Sequence, residues 1–208
     1  MTCWLCELLR PSEERHNRLG AVGAELTLAR RGSSRTLCRH RHLMTDPENV
    51  IDALGINRAL VLRFFATFSR FEYSLKRSGF LKTGDKAEAN WDAYANSLRG
   101  QFANVQDSAF RDAVAFFLNA PPGTQVVSGS DIDWRDTKLG NGEQHENYIL
   151  RLVKIVRNNL FHGGKYPVPT GPMEEVGRNQ RLLEASITVL KQCLELSNDV
   201  RRAFEETA

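Results

Sequence analysis

Between Asn57 and Ser78, apolar residues return at steps of three and four: Leu60, Val61, Phe64, Phe65, Phe68, Phe71 and Leu75. That spacing places them in a broad stripe on one long helix, and it reads the phenylalanine row as core packing. The opposite face carries Arg63, Arg70, Glu72, Lys76 and Arg77, and Gly79 supplies a stop. A second helix is predicted over Lys86–Leu98, with Trp91, Tyr94 and Leu98 turned inward. A third runs over Asp107–Leu118, burying Phe110, Val114, Phe117 and Leu118, and Pro121-Pro122-Gly123 ends it.

The stretch from Thr124 to Gly142 breaks the pattern. It is rich in Gly, Ser and Asp, with Val126, Val127, Ile132 and Trp134 interspersed, and it suits either a short hairpin or a packed loop. Helical spacing returns near Glu143, where Tyr148, Ile149, Leu152, Val153, Ile155, Val156 and Leu160 form an apolar helix ending near His162. A loop containing Pro167, Pro169, Gly171 and Pro172 follows. A final helix is expected from Met173 to Glu206, burying Leu182, Leu183, Ile187, Leu190, Cys193, Leu194, Leu196 and Val200. With no internal repeat and no convincing strand pair, the fold class is all-α, a bundle of four to five helices.

Composition narrows the functional classes. At 208 residues, with 25% charged and 41% apolar side chains, the chain suits one globular domain with appendages. No apolar run approaches the roughly 18 residues needed to span a bilayer. The N-terminus lacks the pattern of a secretory signal, so the expected partners include no membrane. Four irregularly spaced cysteines suggest no disulfide framework, and the expected compartment is the cytoplasm.

The net charge of +3 is uneven. Residues 1–43 hold eight Arg, no Lys and four Glu, leaving 20 basic and 21 acidic side chains in residues 44–208. The main body is therefore nearly neutral, and any contact with nucleic acid should be confined to a site.

Residues 1–43 differ in kind from the rest. They hold Cys3, Cys6, Cys38, His16, His40 and His42, but no Asp or Phe. One reading is a zinc site pairing Cys3-x-x-Cys6 with Cys38-x-His40-x-His42, although the second half is an uncommon ligand pattern. The other is an Arg-rich extension, disordered or not translated. Met44 is followed by Thr45-Asp46-Pro47-Glu48, a good helix start, so the natural protein is expected to begin there. An intact mass matching all 208 residues would exclude that start. The domain division is then 1–43 for the extension and 44–208 for the helical domain.

The chemistry concentrates in Arg157-Asn158-Asn159-Leu160-Phe161-His162-Gly163-Gly164. A permanent cation stands five residues before an imidazole that titrates near neutrality, a combination suited to holding a phosphodiester and moving its protons. On an ideal helix, positions 157 and 162 lie about 140° apart, whereas Asn158 and His162 share a face. Arg157 must therefore reach around the helix, or the last turn must loosen. The competing reading is structural: a His at the negative end of the helix dipole, capped by glycine.

The Arg-Asn-x-x-x-His string, late in a helical bundle, resembles the Arg-x(4–6)-His motif of the HEPN superfamily. The stretch Phe68-Ser69-Arg70-Phe71-Glu72-Tyr73-Ser74-Leu75-Lys76-Arg77-Ser78-Gly79-Phe80 is similar to the first long helix of a plasmid-borne HEPN subfamily. The resemblance spans residues 44–208 and does not extend to residues 1–43. It implies a four- to five-helix bundle that forms a homodimer and acts as a metal-independent ribonuclease without a cofactor. The motif's Arg and His line a cleft at the dimer interface in such enzymes, and they fall on Arg157 and His162, with Asn158 as the polar residue after the Arg. The implied role is a toxin or defence effector cleaving RNA, restrained by an antitoxin. Relatives paired with a nucleotidyltransferase antitoxin carry a Tyr two residues beyond the His. Here Gly164 stands there, and the nearest Tyr is Tyr166.

The expected reaction is attack of an RNA 2′-hydroxyl on the adjacent phosphorus, with Arg157, His162 and Asn158 as catalytic residues: His162 as general base or acid, Arg157 neutralising phosphoryl charge, and Asn158 orienting the His or donating to a phosphate. Glu72 and Lys76, one turn apart on the first helix, are supporting candidates for positioning Arg157 or the RNA backbone, or else an exposed ion pair. The alternatives are a non-catalytic HEPN module that binds RNA or a partner protein, and a purely structural dimeric bundle.

Overall fold

The computed structural model describes residues 52, 54–163 and 174–206. The extension at 1–43, the start at Met44, Gly164, Tyr166 and the proline-rich loop lie outside the described residues. So does Met173.

Helix α1 spans Arg58–Arg77. Asn57 caps it, its side-chain oxygen accepting from the Leu60 N–H at 3.2 Å. Its far end closes as a Schellman motif. The Phe80 N–H reaches the Leu75 carbonyl at 2.9 Å and the Gly79 N–H reaches Lys76 at 3.3 Å, with Gly79 at a φ of 86°. Leu60, Phe64, Phe68, Phe71 and Leu75 are buried as expected, but Phe65 is 48% exposed and lies outside the core.

Helix α2 is shorter than its apolar spacing suggested, running Trp91–Ser97. Residues 80–90 instead fold back on themselves: Leu81 bridges Ala89, and the Asn90 N–H donates to the Phe80 carbonyl at 2.8 Å. Asn90 then caps the helix, accepting from the Ala93 N–H at 3.0 Å. Lys86 and Glu88 are fair helix formers, but with no helical partner their backbone groups are satisfied by the fold-back. A 3₁₀ turn at Phe102–Asn104 leads to α3, Ser108–Asn119, capped by Asp107.

The ambiguous stretch is a hairpin, β1 Thr124–Ser128 antiparallel to β2 Asp131–Arg135, with Val127 opposite Ile132. Gly129 opens its two-residue turn at a φ of 64°, the geometry that matches the twist of paired strands. Helix α4 covers His145–Phe161. The expected single C-terminal helix is two: α5 Glu174–Leu196 and α6 Asn198–Glu205, separated at Ser197, whose backbone is extended. The described residues thus form six α-helices and one hairpin, a mostly helical fold with more helices than the four to five expected.

Helix α5 packs against both α1 and α3, α6 lies on α1, and α2 packs on α4. One continuous core joins Phe64, Phe71, Tyr94, Phe110, Phe117, Leu152, Leu182 and Leu190, all fully buried. The Trp91 ring stacks on Phe68 and Phe71 at 5.2 and 5.4 Å, locking α2 to α1. The Tyr94 hydroxyl donates to the Cys193 carbonyl at 2.8 Å and ties α2 to α5. No helix among the described residues is long and apolar enough to cross a membrane.

Candidate active site at the end of helix α4

Leu152, Val153 and Val156 are completely buried and fix the axis of α4 in the bundle. The start of the helix is clamped by Arg151. Its guanidinium grips Glu143 through two bonds, at 2.8 and 2.6 Å, and also reaches the Lys138 carbonyl at 2.9 Å. Arg151 therefore holds the Glu143 carboxyl below its ordinary value, opposed by partial burial and aided by the Gly140 N–H. The Tyr148 hydroxyl adds a bond to the Thr137 carbonyl at 3.0 Å. Near the other end, buried Asn159 donates its side-chain amide to the Gly123 carbonyl at 2.8 Å, tying the last turn to the root of the hairpin.

On this fixed helix the motif residues occupy the exposed end. Asn158, Phe161 and His162 are exposed, and Arg157 is half-buried. The His162 N–H donates to the Asn158 carbonyl at 2.8 Å, closing the last turn, and Gly163 follows at a φ of 80°. The helix stays regular to its end, so the last turn does not loosen to bring Arg157 around to His162.

Arg157 instead turns toward α1. Its guanidinium carbon lies 5.6 Å from the Phe68 ring centre and 5.0 Å from that of Phe161. One of its terminal nitrogens, Nη1, donates to the Asn158 side-chain oxygen at 3.0 Å. Phe161 in turn packs on Phe65 of α1, with ring centres 5.6 Å apart. Arg157 and Asn158 are thus joined directly, and His162 shares their helix end without a hydrogen bond to Arg157 among the described residues.

The supporting candidates Glu72 and Lys76 both lie on α1. Glu72 accepts from the Trp91 indole N–H at 3.1 Å. No ion pair links Glu72 to Lys76, or either of them to Arg157, among the described residues. Glu72 thus ties α1 to α2 through Trp91, whose ring stacks on the same Phe68 that faces Arg157.

Sequence reasoning passed over Phe161 and Phe65, which form the aromatic wall of the site, and Asn159, which fixes its height. The i, i+4 spacing of Arg157 and Phe161 was the available signal for the first. No group of three or more His, Cys, Asp or Glu side chains is placed to hold a metal ion among the described residues; the Cys and His residues of the N-terminal segment lie outside them.

No protein-family model matches the chain, and no curated protein or solved structure is significantly similar to it.

Proposed function

We propose that this chain is a metal-independent endoribonuclease of HEPN type. The observation that carries the reading is that Arg157, Asn158 and His162 fall in the last turns of α4, with Asn158 and His162 exposed and the half-buried guanidinium held by two aromatic rings and the Asn158 side-chain oxygen. His162 removes the proton of a ribose 2′-hydroxyl as that oxygen bonds to the adjacent phosphorus. The bond from phosphorus to the 5′-oxygen breaks, and that oxygen takes a proton from water to leave as a 5′-hydroxyl, giving a 2′,3′-cyclic phosphate. Arg157 neutralises charge growing on the phosphoryl oxygens, an interaction that strengthens toward the transition state. The chain works as a homodimer, and a nuclease of this kind needs restraint in its host, which fits a toxin or defence effector with an antitoxin partner.

The test is the chemistry of the ends. RNA digested in EDTA should carry 2′,3′-cyclic phosphates and 5′-hydroxyls, and DNA should remain intact because it lacks the nucleophile. Cleaved DNA, or RNA products with 5′-phosphates, would reject the mechanism.

A second reading has an observation of its own. Arg157 is committed to Phe68, Phe161 and Asn158 and makes no hydrogen bond to His162, as expected of a helix end kept for structure. A non-catalytic module would bind RNA or a partner protein and yield no products.

A further inference from the structure

Beside the α4 end, α1 presents a second face that the core does not use. Leu62, Phe65 and Tyr73 are 61%, 48% and 41% exposed. An open groove of about 630 Å³ follows this face, lined by Phe65, Ala66, Ser69, Arg70, Tyr73 and Phe204. At one end of it Phe65 packs on Phe161, beside Arg157. At the other, Arg70 lies 5.3 Å from the Tyr73 ring centre, held there by the Phe204 carbonyl, which accepts from its Nε at 3.0 Å.

The two ends repeat one arrangement: a half-exposed ring with a guanidinium fixed against it. The surroundings are basic. Helix α1 carries Arg63, Arg70, Lys76 and Arg77 against one carboxylate, Glu72, which is engaged by Trp91, while Arg58 at its start is paired with Asp52. Arg63 falls in the same helical row as Ala66, Arg70 and Tyr73.

We propose that this face is a track for single-stranded RNA, with bases stacking on Phe65, Phe161 and Tyr73 while Arg70, Arg157 and Arg63 follow the phosphates. Rings with cations at intervals suit a flexible polyanion whose bases offer π-faces, and they read no sequence. A duplex is excluded from such a track because its bases are already stacked on one another. A second copy of the chain fits less well, since a two-fold contact through this face would bring Arg70 and Arg63 toward their own copies. The track deepens the ribonuclease reading and rests on it only in placing the cleaved bond near His162.

The test measures binding of a labelled oligouridylate by fluorescence anisotropy, using the full chain with His162→Ala to suppress cleavage. Phe65→Ala and Tyr73→Ala are compared with that parent, and Phe65→Leu separates ring stacking from apolar bulk. These positions are half-exposed, and circular dichroism checks that each variant is folded. Each of the three substitutions should weaken binding at least about fivefold, and a blunt RNA duplex should bind more weakly than the single strand. Unchanged affinity in both alanine variants would overturn the track. So would size-exclusion profiles in which they split a dimer while RNA binding stays intact.

Cleavage by the same variants with His162 restored separates the two ideas. Ring-dependent binding without any cleavage keeps the track and removes the nuclease. Cleavage indifferent to both alanine substitutions removes the track and keeps the nuclease.

Discussion

The guanidinium of Arg157 rests on the ring of Phe161, one helical turn further on, 5.0 Å from its centre. Phe68 of α1 faces the same guanidinium at 5.6 Å, so the cation is held between two helices. A planar guanidinium can keep this stack and still present a fork of N–H donors to a phosphate, a geometry that an ammonium lacks. In the proposed reaction, a side chain fixed in advance would lose less freedom on binding a phosphate.

Replacing Arg157 should therefore separate charge from shape. Arg157→Ala is expected to lower RNA cleavage about 100- to 1,000-fold, the usual effect of removing one transition-state donor. Arg157→Lys keeps the charge and loses the fork and the stack, and should fall between alanine and the parent. Initial rates on total RNA in EDTA measure both, and a lysine variant with full activity would contradict the role given to the stack.

Asn159 sets the height of the helix end rather than acting on substrate. Asn159→Ala leaves the Gly123 carbonyl without its buried donor, and a loss of about 1–3 kcal/mol in urea unfolding is expected. A change within error would mean that the hairpin root is held by other contacts.

The Glu143–Arg151 clamp gives a pH signature at the other end of α4. A carboxyl whose folded pKa is lowered contributes stability that is fully present above its unfolded pKa and is lost as the pH falls through the folded one. Wild type should therefore exceed Glu143→Gln in stability at neutral pH. The gap should close as the pH is lowered from the ordinary glutamate range through the depressed folded value. Thermal melts across that range check it, and a gap that widens toward acid would reverse the assignment.

Much of the fold is legible in the chain. Asn57 and Gly79 bracket α1 because a side-chain cap and a left-handed glycine are local signals, and its stripe of phenylalanines returns at helical steps. Phe65 fits the same stripe yet stays half-exposed, since periodicity defines a side of the helix and not how far the neighbouring helices cover it. The break at Ser197 was hidden because Leu194, Leu196 and Val200 keep helical spacing across it. The start of α2 was misplaced because residues 80–90 pair with each other, a contact between backbones that side-chain pattern does not encode. At the site, helical geometry gave the angular separation of Arg157 and His162. The rings of Phe68 and Phe161, which decide where the Arg157 side chain turns, became visible only with α1 and α4 side by side.

The most direct measurement is the rate of RNA cleavage in EDTA by the purified full chain beside its His162→Ala variant, with circular dichroism confirming that both are folded. The expected result is cleavage by the parent and none by the variant. Equal cleavage by the two proteins, or no cleavage by either while RNA is bound, would contradict the assignment of His162 as the catalytic base.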